Sequence, residues 1–488
     1  MELLKEKPLP HSWRRLFYPL AAAGALYALF AYKVDMDDFF ITMRYAQNLA
    51  NGKGWVFNEG ERVLGTTSPL LTVLIALFSL FGCPALFAVR IICALALFGT
   101  SHFLFSYFTD KKQEQTGFAA GLLIFFILPI KQLWGNEIPL CLFFLMASLS
   151  SYEKEKWTTS SIFLSLYALS RMEGLLLLIC LNALLFLRKK KIHYRVLVAP
   201  LLILVPWFVF SRLYFGDFLP NTLYAKARQG ARPDIWSPFA SGFFSTLQAG
   251  FFNGSWPILS FFSLVGLVPL LCRRHALLIG WCALHQGAYF LLGVPGEYLW
   301  YYYPLWLLQP IALGGGIFLV SAASTRLRKV SNWDRFIFFL LLCLALFQEF
   351  HQPRFNSFYR NRHRLYKQVS GYIRDKYPEG TELIADEIGI FGYYLPDYTI
   401  LDTAGLVHRD IPQDSYFYYN YLVQTRKPEL IINCRYPSGK EDRIRDLDTP
   451  LEMDLGEGKR IRYRVKRLFP GSRLLVRILE KQPHFPEE

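Results

Sequence analysis

The sequence predicts an α-helical polytopic membrane protein with an external α/β domain at its C-terminal end. Three observations carry this. Apolar runs near the ~20 residues that cross a bilayer recur through positions 1–350. The short loops between them are basic. Beyond Phe350 the chain turns polar and shows strand-length stretches of alternating apolar and polar residues.

Composition agrees. The 488 residues are 53% hydrophobic, 17% aromatic and only 19% charged, with a mean hydropathy of +0.23. A soluble chain of this length would need more polar surface. The net charge of +15 invites a nucleic-acid reading. Much of the excess lies in the short loops, however, and no basic patch with interleaved aromatics stands apart from them. Nucleic acid is therefore set aside, and the bilayer is the predicted partner. Of eight cysteines, only Cys434 falls outside the apolar runs and their edges, and no Cys-x-x-Cys spacing occurs. That pattern suits buried thiols, not a disulfide framework or a zinc site.

Taken in order, the N-terminus is basic and then apolar, with no cleavage site before the acids that follow. It reads as a retained signal anchor. Candidate spans are 15–33, 84–108, 117–134, 138–151, 158–171, 174–187, 194–213, 256–272, 276–293, 301–322 and 334–350. The segment 69–82 is short for a span and is predicted to lie along the interface. The loops with Lys111 and Lys112, Lys154 and Lys156, Arg188–Lys191, Arg273 and Arg274, and Arg326–Lys329 then all fall on the cytoplasmic side. The prediction is about eleven spans, with the N-terminus inside and the C-terminal domain external in the inner membrane. Residues 1–350 form the membrane domain, with a first external loop at 34–83. Residues 351–488 form the α/β domain, in which "ELIADEIGIFGYYLPDYTILDT", "KPELIINC", "RIRYRVKRLF" and "RLLVRIL" supply strands.

The stretch "VDMDDFFITMRY" (Val34–Tyr45) places Asp35, Asp37 and Asp38 where the first apolar run ends. Residues 38–50 have helical spacing and end in the glycine turn "NGKG". Asp37 or Asp38 suits the helix N-terminus, and Asp37, Ile41, Arg44 and Asn48 share a face. A capped interfacial helix accounts for one or two acids. Charge held at a lipid boundary also marks function. Adjacent carboxylates on a helix diverge, so they do not make the facing pair of a glycosidase, whose carboxyls stand ~5–9 Å apart. One base with a helper carboxylate fits better.

"DDFFITMRYAQNLANGKGWVFNEGERVLGTTSPL" (Asp37–Leu70) resembles the first external loop of bacterial GT-C membrane glycosyltransferases. The closest branch contains mycobacterial arabinofuranosyltransferases and lipopolysaccharide-type enzymes. "GNEIPL" (Gly135–Leu140), "SRMEGLLLL" (Ser170–Leu178), "FGDFLPNTLYAKA" (Phe215–Ala227) and "ILDTAGLVHRDI" (Ile400–Ile411) are similar to further motifs of that group. Met172 stands for a proline, Asn136 for a leucine and Thr66 for an aromatic. The resemblance implies a GT-C fold and an inverting transfer of a sugar from a polyprenyl-phosphate donor to an envelope glycan or lipid acceptor. Asp37 is the first choice as base, and Asp38 the second, as metal or acceptor ligand. Arg44, Tyr45, Glu137, Arg171, Glu173, Asn221 and Lys226 are candidates for the donor phosphate and substrate, and Asp402 and His408 for the acceptor side. A divalent metal (Mg or Mn) is optional. Asp35 precedes the motif and reads as a boundary residue; His285 reads as packing. The rival classes are a flippase of lipid-linked sugars and a glycan-binding scaffold.

Overall fold

The computed structural model describes residues 6, 8–191, 193–251, 257–271, 275–328, 333–351, 357–408, 419–435, 451–456, 459–470 and 474–482. The basic-loop residues Arg273, Arg274 and Lys329 and the motif residues Arg409 to Ile411 lie outside them.

The helices are α1 (His11–Ala31), α2 (Asp37–Ala50), α3 (Pro69–Leu80), α4 (Ala85–Asp110), α5 (Glu114–Leu123), α6 (Leu128–Gln132), α7 (Ile138–Glu153) and α8 (Trp157–Ser170). Next come α9 (Glu173–Lys189), α10 (Arg195–Phe215), α11 (Asn221–Gly230), α12 (Phe239–Phe251), α13 (Pro257–Leu270), α14 (Ala276–Leu292), α15 (Tyr303–Arg328) and α16 (Trp333–His351). The polar third adds α17 (Ser357–Lys376), α18 (Gly389–Tyr394) and α19 (Tyr419–Arg426). Its strands are β1 (Glu382–Ala385), β2 (Thr399–Asp402), β3 (Leu430–Arg435), β4 (Leu451–Gly456), β5 (Lys459–Pro470) and β6 (Leu475–Lys481).

Four stretches among the described residues are long and apolar enough to cross a membrane: Ala85–Asp110, Glu114–Gln132, Arg195–Phe215 and Leu299–Ser324. Other apolar helices are shorter, such as α7 with 16 residues and α8 with 14. At 1.5 Å per residue α8 spans only about 21 Å. Such a helix is by itself shorter than the ~30 Å hydrocarbon core. The 12 residues of α3 make about 18 Å, too short to span.

Two compact units emerge. One contains Met1–Lys33, Val89–Phe208 and Gly230–Arg354; the other contains Val34–Ala88, Val209–Gln229 and Phe355–Glu488. In the first, α7 packs on α8, α8 on α9, and α15 on α13, α5 and α16. The α13–α15 contact is tight because a Cβ at Gly266 or Gly316 would overlap the Ala312 or Phe262 carbonyl. Small residues let the two backbones approach, a common solution between membrane helices.

In the second unit α2 packs on α3 and α18, and α17 on α18. The sheet runs in the order β2-β1-β3-β6-β5-β4. Its β1 is parallel to β2 and β3, and the remaining pairings are antiparallel. Ile384, Leu401, Leu422, Val423, Ile431, Ile461, Tyr463 and Leu479 form its core. The sequence-predicted strands are present, and β4 is an addition. The first loop and residues 209–229 thus fold with the C-terminal segment.

Candidate functional site

In the second unit, α2 begins at Asp37, and its N-cap Met36 makes no side-chain cap. Asp37 does not cap its own helix. Its Oδ2 accepts the Gly389 N–H at 2.8 Å and its Oδ1 the Ile390 N–H at 2.7 Å. It therefore caps α18, and it is 5% exposed. A Cβ at Gly389 would overlap the Asp37 backbone oxygen, so glycine is what permits this approach. Burial, with the Glu387 carboxylate adding, pushes the Asp37 carboxyl up to about 7, against the pull of Arg362 and the Ile390 N–H.

Asp38 points elsewhere. Its side chain is 39% exposed, and one oxygen lies 3.7 Å from the Lys226 ammonium. Burial pushes the Lys226 ammonium down, and Asp38 opposes that. Thr42, one turn on, reaches Thr66 at 3.2 Å. Asp38 is thus the more open of the two α2 acids, and Lys226, reaching it from α11, is mostly buried.

Arg44 is not placed to meet a phosphate, contrary to expectation. It is 1% exposed. Its Nε donates to Phe57 O, Nη1 to Gly392 O and Leu395 O, and Nη2 to Tyr398 O. Three donors of a planar fork fasten α2 to the backbone in and just after α18, and the fourth ties it to the first loop at Phe57. Tyr45 is likewise internal, donating to Val63 O at 2.7 Å and accepting from Gly65 N–H at 2.9 Å. Asn221 Nδ2 donates to Gly405 O and His408 O, both at 2.8 Å. Asp402, 1% exposed, accepts the N–H groups of Ala404, Leu406 and Val407. Burial raises its carboxyl, opposed by His408. His408 Nδ1 lies 3.4 Å from Glu61. These side chains shape the turn after β2.

Asp35 is a correction. It is 4% exposed and faces His363 Nδ1 at 3.4 Å, and His363 Nε2 pairs with the Tyr394 hydroxyl at 3.0 Å. Arg362 and Glu387, paired at 2.7 Å, act on Asp37 instead, and the sequence predicts neither pairing. The missing partners stand more than 300 positions away, and no local spacing signals them.

In the first unit, three motif residues converge. Glu137 precedes α7 and makes no side-chain cap; Asn136 Oδ1 accepts the Ile138 N–H instead. The Glu137 carboxylate receives Arg171 Nη1 at 2.6 Å, while Arg171 Nε donates to Glu173 at 2.8 Å. Arg171 occupies the extended break between α8 and α9, which lets its fork reach both acids. Arg171 Nη2 donates to the Tyr289 hydroxyl at 3.0 Å, and that hydroxyl donates to Glu173. His285 Nε2 lies 3.8 Å from Glu173, which ties it to the network. The Tyr301 ring packs on Tyr289 at 4.5 Å and faces Arg171 at 5.8 Å. Two carboxylates share one buried guanidinium, whose donors satisfy both.

As for a divalent cation, Asp38 beside a lysine is a single-carboxylate donor set. Among the described residues no group of three His, Cys, Asp or Glu gathers to hold a metal. Asp38 and Lys226 do not by themselves make a divalent site.

Residues 354–473 match a family model described as a domain of unknown function, DUF8728. No curated protein sequence matches the chain. Among solved structures, ArnT from Cupriavidus metallidurans bound to undecaprenyl phosphate is similar at a TM-score of 0.59 and 12% identity, covering 96% of this chain and 98% of that one. The Archaeoglobus fulgidus oligosaccharyltransferase tethered to an acceptor peptide follows at 0.54 and 12%, covering 87% and 69%. The mycobacterial arabinofuranosyltransferase AftD aligns at 0.46 and 12% identity over 99% of this chain and 40% of its own, too low to carry weight. The first two likenesses establish the fold: the chain has the GT-C fold of membrane glycosyltransferases.

Proposed function

We propose that the protein is an integral-membrane glycosyltransferase that moves a sugar from a polyprenyl-phosphate carrier to an envelope glycan or lipid. One observation carries the reading. On a GT-C scaffold, α2 presents a partly exposed Asp38 beside Lys226 while Asp37 and Arg44 anchor the helix from within. The ArnT structure with undecaprenyl phosphate supports the donor class.

The base passes from Asp37 to Asp38. A carboxyl near 7 is electronically suited to proton transfer. Asp37 nevertheless has both oxygens engaged and almost no exposure, and reach comes before pKa. Asp38 takes the proton of the acceptor hydroxyl. The acceptor oxygen forms its bond to the anomeric carbon as the bond from that carbon to the phosphate oxygen breaks. The pair of electrons leaves with the polyprenyl phosphate, so no acid is needed. The Lys226 ammonium stabilises the departing anion, and one displacement inverts the centre. An oligosaccharyltransferase relative is known in a complex with Zn and sulfate; no step here is routed through a metal. In the helical unit, Glu137, Arg171 and Glu173 form the candidate sugar- or acceptor-binding network, with Tyr301 as a stacking face.

Reconstitution into liposomes with a panel of polyprenyl-phosphate sugars and envelope acceptors tests the reading. Transfer by the wild type with at least one donor is the expected result. Donor crossing the bilayer without transfer to any acceptor would favour a flippase and overturn the assignment.

A further inference from the structure

A cavity of about 400 Å³ opens at one end of the helical unit, lined by Lys111, Tyr152, Glu153, Trp157, Arg188 and Lys189 among others. It lies where the C-terminal ends of α4, α7 and α9 meet the start of α8 and α14, far in sequence from the first loop. Its volume falls within the range of small-molecule sites.

The charges do not cancel evenly. Lys111 pairs with Glu153, and Lys189 pairs with Glu155 at 3.1 Å. Lys189 also lies over the Trp157 ring at 5.1 Å. Arg188 is exposed and has no hydrogen bond or ion pair among the described residues, so the lining keeps one uncompensated guanidinium. Beside it, the Tyr152 hydroxyl is buried without a hydrogen-bond partner, on a side chain only 6% exposed. A buried hydroxyl with no partner costs free energy unless something fills the place. A donor fork and an O–H donor in one cavity suit a phosphate oxygen.

The walls say which phosphate. Leu185, Leu277, Ala276 and Trp157 are apolar, and Phe186 and Leu187, which follow Leu185 on α9, are 48% and 57% exposed. That surface suits acyl chains, and Trp157 suits the interface. We propose that this cavity binds the phosphate of an anionic phospholipid, with Arg188 and the Tyr152 hydroxyl as its contacts and Trp157 as its wall. Basic loops alone would instead attract such lipids diffusely.

The full chain in phosphatidylcholine nanodiscs, with graded phosphatidylglycerol, separates the two. Thermal unfolding should rise with phosphatidylglycerol. The midpoint of that rise should shift about tenfold in Arg188→Gln and in Tyr152→Phe. Lys191→Gln removes the same charge from an exposed position outside the lining and should leave the midpoint in place. An equal shift in Lys191→Gln, or none in Arg188→Gln, would overturn the proposal in favour of diffuse attraction. Saturable stabilisation by inorganic phosphate in pure phosphatidylcholine discs, lost in Arg188→Gln, would overturn the lipid assignment.

Discussion

Asp37 and Asp38 are neighbours in sequence and opposites in environment. On a helix their side chains diverge by about 100°. One is drawn into the N–H groups of Gly389 and Ile390; the other stays open beside Lys226. Their substitutions should therefore fail in different ways. Asp37→Asn turns an amide toward two N–H donors and should lower stability by about 1–3 kcal/mol, read as a lower unfolding temperature. Arg44→Lys replaces a fork by a point charge and leaves buried carbonyls at Phe57, Gly392, Leu395 and Tyr398 short of donors. A loss of about 2 kcal/mol or more is expected, read the same way. A wild-type unfolding temperature in Arg44→Lys would contradict its anchoring role. The acids, the helix and the glycine turn were legible in the sequence, because helical spacing and capping are local. Which acid is exposed was not, because Gly389 and Ile390 lie some 350 positions away.

At the scale of elements, α2 is held by the polar third of the chain. Asn58 exchanges two hydrogen bonds with Ile400 on β2, donating at 2.9 Å and accepting at 3.0 Å, which adds to the Arg44 and Asp37 contacts. Gly389→Ala should therefore strain the α2–α18 contact by about 1–3 kcal/mol and lower transfer activity, although residue 389 touches no substrate in the proposed mechanism. Full activity in Gly389→Ala with unchanged stability would show that α18 does not position α2. The strands β1, β2, β3, β5 and β6 could be read from apolar alternation. In β4, "LEMDLG" places acids between three apolar residues, and these acids mask its strand pattern. The union of the first loop with the C-terminal segment was also hidden. It rests on side chains reaching backbone N–H groups and carbonyls, which leave no periodic trace. In the helical unit, Glu137, Arg171 and Glu173 could each be picked out as a charge in an apolar setting. Their meeting depends on how α7, α8 and α9 pack, which no single run encodes.

For the molecule as a whole, the charge pattern sets an orientation that can be tested apart from the chemistry. Basic loops carrying Lys111, Lys154 and Arg188 should face the cytoplasm and the first loop the outside. Asn58 is buried against Ile400 and is a poor labelling position. Glu59, with its side chain 71% exposed, serves instead. Glu59→Cys should react with an impermeant thiol reagent in intact cells, and Lys190→Cys only after the membrane is opened. The reverse pattern would invert the topology and move the proposed site to the wrong face for an envelope acceptor.

The proposal that this fold performs glycosyl transfer through Asp38 is met most directly by single-turnover transfer rates. Wild type, Asp38→Asn and Asp37→Asn would be compared in proteoliposomes holding a polyprenyl-phosphate sugar and its acceptor. General-base loss should slow Asp38→Asn by about 100-fold or more at wild-type unfolding temperature, while Asp37→Asn, held below its own lower unfolding temperature, keeps most of the rate. Undiminished transfer by Asp38→Asn, with the rate lost in a stably folded Asp37→Asn, would contradict the assignment and return the base to the buried carboxylate.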